Sequence, residues 1–146
     1  MPHDQNVWLV EHDKPTRMAL GRLLRSKGWQ VRELARRSQA VPYWRTFGAP
    51  DLVILDAAEV GETLAQDVRM FRRLCGPGLP VVVLTAKASL AQLAEAYVAG
   101  ASFCLTQPLD TELLAKALEY ILDDLPPKRA GKIELELLTA DGFYFG

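Results

Sequence analysis

Polar side chains follow the short apolar runs of this sequence, and their types suit the binding of a cation or a phosphoryl group. They are Glu11, His12 and Asp13 after the first run, Asp56 after the third and Thr85 after the fourth. Mg²⁺ prefers carboxylate and carbonyl oxygens, and a carboxylate can act as a nucleophile in forming a covalent intermediate. Together these residues could bind a hard divalent cation and a phosphoryl group.

Five apolar, β-branched runs provide the elements that would position these groups, at residues 7–10, 29–34, 52–55, 81–84 and 103–105. Runs of this length bounded by turn residues are typical of buried strands. Segments with helical spacing lie between them, so we predict an α/β fold with a doubly wound, five-stranded parallel sheet and helices on both faces. The second helix, at residues 41–47, should be short or irregular because Pro42 fits only a first turn.

In such a sheet, ligands bind outside the carboxyl ends of the strands. The polar residues named above all follow strands, so the fold would bring them to one edge. A single polar residue at a strand end is more often simply solvated, because loops run over the surface. The whole set in this order favours a site.

Composition narrows the class of protein. The 146 residues, 49% of them hydrophobic, suffice for one domain. The net charge of -1 indicates no overall basic field for nucleic acid or membranes, and we interpret Arg32, Arg36, Arg37 and Arg45 as a solvated local cluster. With no apolar run long enough for a membrane span and no signal-peptide pattern, we expect a cytoplasmic protein in which Cys75 and Cys104 are reduced thiols.

Five motifs carry a resemblance to a known family. They are Val7-Trp8-Leu9-Val10-Glu11-His12-Asp13, Pro50-Asp51-Leu52-Val53-Ile54-Leu55-Asp56, Pro80-Val81-Val82-Val83-Leu84-Thr85-Ala86, Ala99-Gly100-Ala101 and Leu105-Thr106-Gln107-Pro108-Leu109. From about residue 7 to residue 125 the chain resembles the response-regulator receiver domains of two-component systems. The resemblance implies a flavodoxin-like sheet of strand order 2-1-3-4-5, a histidine kinase as phosphoryl donor, Asp56 as phospho-acceptor, and Thr85 as the hydroxyl that contacts the phosphoryl group.

The sequence departs from that family at functional positions. His12 replaces an acidic metal ligand, and imidazole suits zinc, copper or nickel better than magnesium. Glu11, Asp13, Asp56 and the backbone carbonyl of Ala58 remain, so we expect weak Mg²⁺ binding and no other cofactor. Gln107 replaces the lysine that pairs with the phosphoryl oxygens, and Cys104 replaces the aromatic residue of the switch.

We therefore predict an atypical receiver domain in which phosphorylation has a weakened or lost role. The alternative is an orthodox receiver that is phosphorylated at Asp56 by a histidine kinase with Mg²⁺. In neither case is the chain an enzyme beyond phosphotransfer to its own Asp56. An enzyme acting on a small molecule is poorly supported, because the sequence has no glycine-rich nucleotide loop and no Ser/His or Cys/His pair in suitable positions.

An apolar surface is predicted to replace the switch. Related transcription regulators dimerise through the fourth helix, the fifth strand and the fifth helix. The helical spacing assigns one stripe of each helix to the core, namely Leu90, Ala94 and Tyr97 of the fourth helix and Leu113, Leu114, Ala117, Tyr120 and Ile121 of the fifth. Five apolar residues then remain for a homodimer interface. These are Leu93, Val98, Phe103, Leu118 and Leu122. The alternative is that the helices tilt and bury them, or that the C-terminal segment covers them.

The domain organisation is predicted as a receiver at 1–125, a linker at 126–132 and a hairpin at 133–146. The hairpin prediction depends on the alternation in Ile133-Glu134-Leu135-Glu136-Leu137 and on Asp141-Gly142 before an aromatic run. Winged-helix regulators of this family begin their effector with a similar small sheet. DNA would be contacted only through an effector domain that these residues do not include, and no membrane partner is expected.

Overall fold

The computed structural model describes residues 4–56, 64–85, 90–106 and 109–124, apart from the side chains at 90, 92 and 124. Three groups of predictions lie outside the described residues. They are the carbonyl of Ala58, the amide of Gln107, and both the linker at 126–132 and the hairpin at 133–146. Among the described residues, no helix is both long and apolar enough to cross a membrane.

The five predicted strands are present and form one parallel sheet. Their bounds are β1 Asn6–Val10, β2 Gln30–Leu34, β3 Leu52–Asp56, β4 Val81–Thr85 and β5 Phe103–Thr106. The strand order is β2-β1-β3-β4-β5, which confirms the predicted topology. β1 pairs with both β2 and β3, so the chain reverses its direction of winding there and leaves a crevice at the carboxyl ends of these strands.

Helices alternate with the strands. They are α1 Lys14–Ser26, α2 Ala40–Phe47, α3 Leu64–Cys75, α4 Leu90–Ala99 and α5 Thr111–Asp124. A 3₁₀ turn at Arg37–Gln39 leads into α2, which has only eight residues and carries Pro42 in its first turn. This confirms the prediction of a short second helix. At α5, the Asp110 carboxylate accepts the backbone N–H groups of Glu112 and Leu113, as predicted for a helix cap.

The sheet separates two apolar cores because successive side chains of a strand point to opposite faces. Trp8, Val53 and Val83 pack toward α3 and α4, together with Phe71 and Ala96. On the other face, the alternate residues of the same strands, such as Leu9, Ile54 and Leu84, pack with leucines of α1 and α5. Both faces of the central strands are therefore covered, which positions their carboxyl ends firmly.

The predicted face of α5 is wrong. Leu118 is fully buried and Leu122 nearly so, both in the core shared with α1, so neither is available to a partner. Leu113 and Tyr120, which we expected in the core, are 54% and 68% exposed. Adjacent leucines at 113 and 114 allow two helical stripes one residue apart, and packing selects the one that buries Leu114, Leu118 and Leu122.

The face of α4 is partly as predicted. Val98 is 86% exposed and Phe103, at the start of β5, is 37% exposed, so both side chains are accessible, while the interface itself stays a prediction. Leu93 is half-buried, so the helix covers part of it. Ala94 is exposed although we expected it against the sheet, and Ala96 is the buried alanine.

Candidate functional site

The predicted site residues of three strands meet at the carboxyl edge of the sheet. Asp56 ends β3 and lies opposite Leu84 of β4, and Thr85, which ends β4, is 5% exposed. Glu11 follows β1, and its backbone N–H donates to the carbonyl of Leu34 at 3.0 Å. The parallel register thus places Glu11, Asp56 and Thr85 in neighbouring positions, as the sequence predicted.

Glu11 and Asp56 are hydrogen-bonded to each other through their side chains. Burial, followed by this hydrogen bond and by the charge of Asp56, raises the pKa of Glu11 from 4.5 to about 8. The Glu11 side chain is only 5% exposed. A protonated Glu11 carboxyl is thereby favoured, and it lies in hydrogen-bond contact with the proposed nucleophile.

Asp13 has a structural role that the sequence interpretation missed. Its carboxylate accepts the Thr16 backbone N–H at 3.1 Å and the Thr16 hydroxyl at 2.5 Å, which caps the start of α1. The hydroxyl hydrogen bond is the main reason that the pKa of Asp13 is lowered. The signal was present in the sequence, since an aspartate two residues before Pro15 is typical of a helix start.

His12 is largely exposed, with its Nδ1 atom 3.7 Å from Oε2 of Glu11. Within the described residues, no group of three or more His, Cys, Asp or Glu side chains is arranged to hold a metal ion. The Glu11 and Asp56 carboxyls are hydrogen-bonded to each other, and Asp13 caps α1. His12 stands where the family pattern has its other acidic residue. Glu11 and Asp56 are the described carboxyls that would contact Mg²⁺, and the raised pKa of Glu11 makes it the weaker ligand of the two, because a ligating carboxylate must be deprotonated.

Cys104 is half-buried and packs against the core on the α4 face of the sheet. Its backbone N–H donates to the hydroxyl oxygen of Tyr97 on α4 at 3.2 Å, a contact that sequence reasoning did not predict. Burial raises the pKa of both the Tyr97 hydroxyl and the Cys104 thiol. The family pattern has an aromatic residue at the position of Cys104 in β5. In this chain, the aromatic side chain of Tyr97 in α4 is hydrogen-bonded to the backbone at that position.

The family model for the response regulator receiver domain matches residues 7–119. That match runs from the second residue of β1 into α5, so it takes in all five strands but ends before Leu122 of the second core. This chain belongs to the response regulator receiver domain family. It is a receiver domain of a response regulator in two-component signalling, and such domains are generally non-enzymatic signalling modules that commonly bind Mg²⁺ at the phosphorylation site.

Solved structures agree on the fold of this receiver. A response regulator from Thermotoga maritima has 24% identity and a TM-score of 0.71, with 82% of this chain and 98% of that chain covered. A putative response regulator from Chloroflexus aurantiacus has 24% identity and a TM-score of 0.72, with coverages of 84% and 99%. A putative pilus assembly protein from Burkholderia thailandensis has 28% identity and a TM-score of 0.69, with coverages of 82% and 99%. No curated protein matches this chain.

Proposed function

We propose that this chain is an atypical receiver domain that signals through protein association, with a weakened or lost dependence on phosphorylation of Asp56. The observation that carries this proposal is the hydrogen bond between the buried Glu11 carboxyl and Asp56. Phosphorylation would have to displace this bond before Asp56 could accept a phosphoryl group. Binding of Mg²⁺ would also have to remove the Glu11 proton.

Two sequence features support the same proposal. The imidazole of His12 stands where the family pattern has a carboxylate, and it lies 3.7 Å from Glu11 instead of supplying a third oxygen. Gln107 offers a neutral donor in place of a lysine. Since charge-assisted hydrogen bonds are about twice as strong as neutral ones, a phosphoryl group at Asp56 would be held less tightly.

The association that we propose is a homodimer through α4, β5 and α5. Each of these three elements has at least one large apolar side chain that is exposed: Val98, Phe103, and the pair Leu113 and Tyr120. Leu113 and Tyr120 are seven residues apart, so they share one stripe of α5. In the proposed interface, Leu113 and Tyr120 replace the buried Leu118 and Leu122. The interface therefore stays on α4, β5 and α5.

Phosphotransfer provides the direct test. We expect that incubation with acetyl phosphate and Mg²⁺ leaves most of the protein unmodified by intact mass, and that the concentration dependence of light scattering does not change. The Asp56→Asn variant is the control for the position of any modification. Stoichiometric phosphorylation that the Asp56→Asn variant lacks, together with a change in association, would establish the orthodox alternative instead.

The molecule that this domain contacts to pass on its signal is also part of the proposal. A histidine kinase remains the phosphoryl donor of the orthodox alternative, and DNA would be reached only through an effector domain. The similar Burkholderia thailandensis chain is described as a putative pilus assembly protein. We therefore propose contact with protein as the immediate output of this domain.

A further inference from the structure

At the β2 edge of the sheet, α2 presents aromatic side chains beside arginines. Phe47 is 53% exposed and Trp44 is 38% exposed, although both are large apolar groups on a helix. We call the following set the arginine–aromatic surface: Arg32, Arg36, Trp44, Arg45 and Phe47. It lies at the opposite edge of the sheet from β5, so it is separate from the proposed dimer interface.

The exposed Phe47 ring is held in place by contacts that lead into the core. Buried Trp8 meets Tyr43 edge-on, with ring centroids 6.3 Å apart, and Tyr43 meets Phe47 in the same way at 6.0 Å. The guanidinium carbon of Arg32 lies 3.4 Å from the centroid of the Phe47 ring. Because the ring occupies one face of the guanidinium, the N–H groups in its plane remain available to an anion.

The acidic residues near this surface are engaged elsewhere. Glu33 is ion-paired with Arg25 at 2.7 Å and lies 3.7 Å from Arg17. Asp67 is ion-paired with Arg37 at 2.6 Å. In the part of the chain that the structure describes, Arg32, Arg36 and Arg45 have no carboxylate within ion-pair distance. Arg32 therefore contacts the exposed Phe47 ring, Arg36, Trp44 and Arg45 lie close to them along the chain, and no carboxylate among the described residues is ion-paired with these three arginines.

We propose that the arginine–aromatic surface binds an acidic segment of a partner protein that also carries an apolar side chain. Carboxylates match the guanidinium fork, and Arg and Trp are the side chains that contribute most at protein interfaces. Nucleic acid is disfavoured, because its affinity grows with the number of phosphates neutralised, and a chain of net charge -1 adds no basic field to three arginines.

The partner segment does not join the sheet as a sixth strand. Arg25 crosses to β2, where its guanidinium donates to the Val31 carbonyl at 3.0 Å and to Glu33. This contact occupies a backbone acceptor that strand addition would need. Side-chain recognition on α2 is therefore the mode of binding, and the two edges of the domain can be occupied at the same time.

The test is a binding titration with the full chain and a fluorescein-labelled peptide of glutamates and leucines, followed by fluorescence anisotropy. The Arg32→Gln variant should weaken binding about ten-fold and the Arg45→Gln variant about three-fold, because each removes a charge-assisted contact. Arg22, exposed on α1, provides the matched control, and the Arg22→Gln variant should change Kd by less than about two-fold. The same peptide with glutamine in place of glutamate should bind at least about ten-fold more weakly.

Circular dichroism of each variant separates lost binding from lost folding. If Arg32→Gln unfolds the domain, the ratio between the Arg45→Gln and Arg22→Gln variants decides the question, since both residues are exposed. The proposal is overturned if the acidic peptide does not bind, if its glutamine counterpart binds equally well, or if Arg22→Gln weakens binding as much as Arg45→Gln. Tighter binding of single-stranded oligothymidylate than of the peptide would also overturn it.

Discussion

At the scale of single residues, the environment of each carboxylate decides what it can do. Glu11 and Asp13 are two residues apart, but the pKa of Glu11 is raised to about 8 and that of Asp13 is lowered. Burial beside Asp56 favours a protonated Glu11, whereas hydrogen bonds from Thr16 favour an ionised Asp13. From residue type alone, Glu11 and Asp13 had both been predicted as metal ligands.

The protonated Glu11 leads to a prediction about stability and pH. Because its pKa is above the ordinary 4.5 in the folded protein, the folded state binds more protons than the unfolded state between the two values. The free energy of unfolding due to this group therefore falls as pH rises through about 8. In the Glu11→Gln variant this fall should be smaller, as measured by urea denaturation without divalent cations at about pH 5.5 and about pH 8.5.

Exposed Glu119 offers the control for the Glu11 prediction, since Glu119→Gln makes the same substitution at a carboxyl that is not buried. The Glu119→Gln variant should keep the pH dependence of the natural sequence. Identical slopes for the natural protein and the Glu11→Gln variant would contradict a protonated Glu11, and with it the main support for the proposed function.

At the scale of elements, one arginine of α3 holds two connections, the one that leads to β4 and the one between α4 and β5. Arg72 of α3 donates to the carbonyls of Gly76 at 3.3 Å, of Pro77 at 3.1 Å and of Leu79, just before β4. Its Nε donates to the Gly100 carbonyl at 3.0 Å, between α4 and β5. Gly100 has a φ of +117°, and a Cβ there would lie 2.7 Å from Arg72 Nε, so glycine is needed for both conformation and space.

Replacing Arg72 should therefore loosen the α3 to β4 and α4 to β5 connections together. We expect Arg72→Met to lower the free energy of unfolding by about 2–3 kcal/mol, because several partly buried carbonyls lose their donor. Arg72→Lys should recover little of this, since an ammonium group cannot reproduce the fork. Urea denaturation provides the measurement.

The neighbouring Arg73 is the matched control for Arg72. It is exposed, and Arg73→Met should change the free energy of unfolding by less than about 0.5 kcal/mol. Equal effects of the two substitutions would mean that the backbone contacts of Arg72 contribute nothing beyond an ordinary surface arginine.

At the scale of the whole molecule, the two edges of the sheet carry different surfaces. The β2 edge has arginines and aromatic rings, and the β5 edge has the apolar groups of Val98 and Phe103. Strand order alone separates them, because β1, β3 and β4 lie between. The proposed homodimer and the proposed acidic partner would therefore occupy separate surfaces of the domain.

The proposed homodimer predicts a concentration-dependent mass. Light scattering should detect dimers of the natural protein, and Val98→Asp or Tyr120→Glu should shift the equilibrium toward monomers by about ten-fold or more, since a charge would be buried at the interface. Met18, 44% exposed on α1, supplies the control Met18→Glu, which should leave the dimer intact. A natural protein that is monomeric at every concentration would rule out the interface.

The sequence by itself determined the order and type of the elements. Strand runs, turn residues and the Asp110 cap are local signals, and right-handed crossovers then permit few arrangements of five parallel strands. The meeting of Asp56 and Thr85 at one edge follows from that topology alone. These predictions succeeded because each depends on neighbours in the chain or on a general rule of winding.

Only the tertiary structure decided which side chains are buried and which hydrogen bonds form. The leucines at 113, 114 and 118 fit two helical stripes, and contact with the sheet selected one of them. The proton of Glu11 depends on a residue 45 positions away, and the contact of Tyr97 with Cys104 depends on how α4 lies on β5. Burial and long-range contacts are properties of packing, so no periodicity in the chain specifies them.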